Sequence, residues 1–116
     1  MAYDRELAER VRELLAGVDG ITEQPMFGGL AFLVNGNMAV AASGQGGLLV
    51  RVPRDEAGGL LGEHVEVMVM GGREMVGWLH VDGAGLGDRL AEWVGRGVGC
   101  ARSLPAKAGK AAVRRR

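Results

Sequence analysis

A single cysteine, Cys100, stands among the 116 residues. That excludes an intrachain disulfide and suits a reducing interior. Apolar runs such as Leu30 to Val34 or Val67 to Met70 fall far short of the roughly 20 residues that a membrane-spanning helix needs. The N-terminus, Met1-Ala2-Tyr3-Asp4-Arg5, moves straight into acidic and basic residues, without the charged start and apolar stretch of a signal peptide. The expectation is a cytoplasmic protein with no membrane segment. The chain has no internal repeat.

The residue patterns that carry chemistry are also missing. Ser43-Gly44-Gln45-Gly46-Gly47 has the glycine of a phosphate cradle, but it lies between two strand-like segments with no helix after it. No Lys-Ser/Thr pair follows any glycine run. His64, His80 and Cys100 are isolated from one another in the sequence, and none of them is separated from another by a metal-ligand spacing. Glu63, Glu66 and Glu74 surround one strand without a paired geometry for acid–base work. Ser43 and Ser103 have no nucleophile context. Neither catalytic, metal nor cofactor-binding residues are expected, and the chain reads as a non-enzyme.

What is abundant is glycine, 21 residues without a G-X-Y period, which indicates turns, bulges and close backbone approaches. Hydrophobic residues make up 47% and charged residues 24%, the balance of a globular domain with one modest core. A net charge of zero hides a split. Residues 1–88 carry six Lys/Arg and thirteen Asp/Glu, whereas residues 89–116 carry eight and one. The division therefore falls at 1–105, an acidic α+β domain, and 106–116, a basic low-complexity tail expected to be disordered.

Tyr3, Leu7, Val11, Leu14 and Leu15 recur at helical spacing, with Asp4 placed to cap the helix and Gly17 to end it. Ile21 to Phe27 reads as a strand that Pro25 confines to an edge or a bulge. Gly28-Gly29 reads as a break or kink. Leu30 to Val34 and Met38 to Ala42 flank Asn35-Gly36, a pair suited to a type I′ turn, and the stretch from Met26 to Met38 is expected at the centre of the sheet. Leu48 to Val52 adds a strand, Arg54 to Leu61 a short helix, and Val65 to Met70 and Met75 to Val81 two more strands, the last anchored by Trp78. Leu86, Leu90, Trp93, Val94, Val98 and Ala101 mark one final amphipathic helix, in which Gly95, Gly97 and Gly99 are tolerable where its backbone packs closely on the sheet. The fold class is α+β: a two-layer sandwich of an antiparallel sheet of about five strands with helices on one face, in the order α-β-β-β-α-β-β-α.

Strand alternation puts Leu48, Val50 and Val52 on one face and Leu49 and Arg51 on the other, and it sets Leu33 opposite Leu30 and Phe32. The face of Leu33, Leu49 and Arg51 is either a partner surface or is covered by the final helix or a loop. In the tail, Lys107, Lys110, Arg114, Arg115 and Arg116 offer salt-sensitive, sequence-independent contact to nucleic acid, with no aromatic ring to stack on a base. A solubilising tail explains the same residues.

Met26-Phe27-Gly28-Gly29, Asn35-Gly36-Asn37-Met38 and Leu48-Leu49-Val50-Arg51-Val52 together resemble the TfoX (Sxy) N-terminal domain family. So do Gly72-Arg73-Glu74-Met75-Val76-Gly77-Trp78 and Ala101-Arg102-Ser103-Leu104-Pro105-Ala106-Lys107, and the resemblance runs from about Tyr3 to Lys107. It implies helices packed on an antiparallel sheet and no catalytic residues. The family's namesakes are regulators of natural competence that work with a transcription factor and carry a second, C-terminal domain. The expected role is a non-enzymatic regulatory or protein-interaction module, with a homodimer through the free sheet face or another protein as partner. The alternative is a nucleic-acid accessory protein acting through the basic tail.

Overall fold

In α1 (Arg5–Leu14), Asp4 caps the first turn by accepting a hydrogen bond from the Leu7 amide at 3.1 Å, a contact of about 1 kcal/mol. The helix buries Leu7, Ala8 and Val11. It stops at Leu14, and the Leu15 amide bonds to the carbonyls of Val11 and Arg12. Gly17 is not left-handed, so it does not supply the expected glycine cap. The computed structural model describes residues 3–26, 28–70 and 72–104. Phe27, Gly71 and residues 105–116, with the whole of the expected tail, lie outside them.

The strands are β1 (Ile21–Met26), β2 (Gly29–Val34), β3 (Asn37–Ala42) and β4 (Leu48–Arg51), then helix α2 (Arg54–Leu60), then β5 (Val65–Met70) and β6 (Arg73–Val81). They form one antiparallel sheet in the order β1-β2-β3-β4-β6-β5. The sheet has six strands where the sequence pattern predicts about five, because the four extended segments before α2 are all separate strands and the expected order α-β-β-β-α-β-β-α counts only three of them; an isolated bridge between Gly62 and Val65 sits beside them. The centre of the sheet is β3 and β4, so the stretch from Met26 to Met38 lies towards one end rather than in the middle. As Pro25 requires, β1 is an edge.

Met26 pairs with Gly29, so β1 and β2 form a hairpin and Gly28-Gly29 marks a break between two strands rather than a kink within one. Gly28 takes φ +78° there. Asn35 (φ 53°) and Gly36 (φ 85°) are both left-handed, the requirement of a type I′ turn. Between Phe32 and Leu33 the β2–β3 register slips, leaving Ala39 as the extra residue.

After β6 come α3 (Gly83–Leu86), a 3₁₀ turn at Gly87–Arg89 and α4 (Leu90–Arg102). The expected single last helix is therefore broken, at Gly87, whose φ of +39° cannot continue a helix. All four helices put apolar residues into the same core, with Ala57, Leu86, Trp93 and Val94 packed over Phe32, Val40, Val50 and Leu79. Gly97 lets α4 touch the sheet: a Cβ there would lie 2.5 Å from the Ala39 carbonyl oxygen and 2.6 Å from Val40 Cγ1. Gly95 and Gly99 face open space, so close packing explains only the middle glycine of the three. Arg12 ties α1 to the β1 edge, its Nε 2.6 Å from Glu23 Oε2 and a terminal amine 2.8 Å from Oε1.

Candidate functional site

The helices leave one face of the sheet bare. On it Ala31, Ala41 and Leu49 form a second small core, with Met26, Leu33, Met38 and Met68 packed against them and no helical residue among them. Small side chains on β2 and β3 make the floor low, while methionines from β1, β3 and β5 rise around it. The result is a hollow of about 580 Å³, floored by Ala41 and Leu49, walled by Met26, Met68 and Val69, and given a polar margin by Gln45, Glu66 and His80. Methionine is unbranched and polarisable, and it repacks around different shapes at little cost.

Leu33, Leu49 and Arg51 do share this face. Leu49 is only 6% exposed and belongs to the floor, whereas Leu33 is half-buried among the methionines. Arg51 is already engaged at the lower end. Its Nε donates to the Met38 carbonyl at 2.7 Å, at the level where β3 and β4 have ceased to pair below Val40 and Val50. Its guanidinium lies 4.5 Å from the centroid of the Trp78 ring. Desolvation lowers the Arg51 pKa from its ordinary value, yet arginine stays charged. Trp78, read as a strand anchor, is therefore a platform beneath Arg51 on the helix-free side.

Both histidines are occupied. His64 Nδ1 lies 3.0 Å from Asp82 Oδ2, and because a carboxylate only accepts, that nitrogen carries the proton. The bond raises the His64 pKa above the usual histidine value. Asp82 also accepts from the Gly85 amide at 2.8 Å, capping α3, and that bond followed by the one to His64 holds its carboxyl low. His80 Nε2 donates to the Gly46 carbonyl at 2.8 Å. Cys100, half-buried on α4, has its thiol pKa pushed up by burial. Among the described residues no three His, Cys, Asp or Glu side chains gather where they could hold a metal ion. No described helix is long and apolar enough to cross a membrane. Lys107, Lys110, Arg114, Arg115 and Arg116 lie outside the described residues.

Period-two alternation finds Leu33, Leu49 and Arg51 but does not single out Met26, Met38, Met68 or Trp78. Met68 joins the wall beside a register slip in the β5–β6 pair, where Val67 faces Leu79 but Met68 faces Met75. Such a slip is invisible to a pattern read along one strand at a time.

Searches of curated proteins and of solved structures found no match for this chain. The profile of the TfoX N-terminal domain matches residues 13–101, a span that takes in every strand, the helix-free face and α4 up to its penultimate residue. The chain belongs to the TfoX N-terminal domain family.

Proposed function

We propose that this protein is a non-enzymatic regulatory module that works by binding another protein across the helix-free face of its sheet. Family membership supports a regulatory, competence-type role. The observation that carries the mode of action is the methionine-walled hollow over Ala41 and Leu49. The occupant is an amphipathic helix of the partner, presenting a convex apolar ridge. Two hollows placed face to face would enclose an unfilled space, so a second copy of this chain is a poor fit there, and the homodimer expected on this face is set aside for that reason. Flexible methionines suit a ridge of leucines or valines at i, i+3, i+4 and i+7. Arg51 and Glu66 at the margins favour opposite charges beside that ridge.

The test places a photo-crosslinking residue at Met26 or Met38 in the full chain, with Leu14 on the outer side of α1 as control. The expected product is one partner, attached at apolar positions with helical spacing, and lost on Leu33→Asp in a protein that still folds. Labelling no different from the control would overturn the reading. So would a small molecule turned over in the hollow with a rate that collapses on His80→Ala.

A further inference from the structure

The outermost strand beside β6 is β5, and its outward backbone groups can be traced. Val65 exchanges both of its bonds with Gly62, at 3.1 and 3.2 Å, on the side away from β6. The preceding carbonyl, of His64, accepts from the Asp82 amide at 3.0 Å on the β6 side. Backbone groups alternate along a strand, so Val67 and Val69 also point N–H and C=O outwards. Among the described residues no strand lies beyond them and no loop bond reaches them.

We propose that a second copy of this chain occupies that edge, its β5 antiparallel to this one about a two-fold axis perpendicular to the sheet through Met68. In that register Val67 stands opposite Val69 of the second copy, and each such pair exchanges both hydrogen bonds. Every outward group of the two valines is then satisfied in both chains. Sliding the axis to Val67 would direct Val69 against Val65, whose groups Gly62 already holds. Sliding it to Glu66 would set like charges directly opposite each other. The axis at Met68 instead keeps the two Glu66 carboxylates roughly 13 Å apart along the paired segment.

Two further observations favour a second copy over a foreign strand. Among the described residues Val69, on this strand, is the most exposed large hydrophobic, at 61%. An isologous contact sets it opposite Val67 of the second copy, apolar against apolar. The opposite edge is guarded, since β1 carries Pro25, which has no N–H, and Glu23, which Arg12 holds in place. Pairing therefore closes at two copies instead of growing into a filament. The helices of both copies fall on one side and both hollows on the other; Met68 and Val69 belong to the pairing strand and also wall the hollow, so dimerisation is read by sedimentation and not by capture of a partner.

The test is sedimentation of the full chain across a concentration series. The chain is expected to dimerise, and Val69→Lys and Val69→Pro to raise the dimer dissociation constant by about tenfold or more while circular dichroism and melting stay near those of the parent. Register is read separately in a Cys100→Ser background. Met68→Cys should form an intermolecular disulfide under mild oxidation, because facing residues of a non-hydrogen-bonded pair lie close enough to bridge, whereas Glu66→Cys should not. A chain monomeric throughout the series overturns the proposal. So does a dimer indifferent to both Val69 variants, or a Met68→Cys variant that does not cross-link.

Discussion

Arg51 and Trp78 stand directly opposite each other across the β4–β6 ladder, the guanidinium carbon 4.5 Å from the ring centroid. The same side chain reaches back to the Met38 carbonyl, so one residue links β3, β4 and β6 at the lower end of the bare face. Arg51→Ala removes a cation–π contact and leaves a carbonyl without its charged donor, a loss of about 1–3 kcal/mol. Arg51→Lys keeps a charge over the ring but loses the fixed Nε donor, and should fall between parent and alanine. Urea denaturation of the three proteins checks the order.

Gly97 and Gly95 lie on the same helix and should respond to alanine with opposite signs. At Gly95 a methyl meets nothing within 4 Å, so the substitution should stabilise by up to about 1 kcal/mol through helix propensity. At Gly97 the same methyl runs into the Ala39 carbonyl and Val40, and overpacking of about 1–3 kcal/mol outweighs the propensity gain. Thermal melts of the two variants decide it. A stabilised Gly97→Ala would show that α4 can lift from β3 without loss.

In the β2–β3 turn, Gly36 holds φ 85°, where an L side chain is disfavoured by about 1 kcal/mol. Gly36→Ala should cost that amount and loosen the hairpin. Amide exchange should speed up first at Asn37 and Val34, the pair nearest the turn.

For His64 and Asp82 the pH dependence has a definite sign. The folded His64 pKa is raised, first by the hydrogen bond to Asp82. Its contribution to stability is therefore complete below the usual histidine value of about 6.5 and fades as pH rises through the higher folded value. The folded Asp82 pKa is lowered, first by the Gly85 amide and then by His64. Its contribution is present above the usual aspartate value of about 3.9 and is lost as pH falls through the folded value. An NMR titration should place the His64 imidazole above 6.5, and Asp82→Asn should return it towards that value. Both groups are well exposed, so the stability change will be small and salt-sensitive.

Features decided within a few residues are legible in the sequence. The Asp4 cap, the Asn35-Gly36 turn and the edge position of the strand holding Pro25 all follow from local stereochemistry. Gly28-Gly29 is less so, because a break between two strands and a kink within one have the same glycine signature until Met26 is known to pair with Gly29. Strand order hinges on Leu48 meeting Val81, and nothing near either residue announces that partner. The bare face is half legible. Alternation places Leu33 and Leu49, but Met68 arrives beside a register slip and Arg51 finds its acceptor at Met38, both products of tertiary pairing.

The β4–β6 ladder has one more consequence, for the order in which the chain acquires its shape. Strands β1 to β4 are joined by successive antiparallel pairings of near neighbours, and β5 and β6 form a second hairpin of their own. The two pieces meet in the sheet only through the pairs from Leu48 with Val81 to Arg51 with Trp78. Local pairings close small loops and form quickly, whereas a contact across some thirty residues must first overcome a larger loop entropy. The meander and the hairpin are therefore expected to close before the junction between Val50 and Leu79.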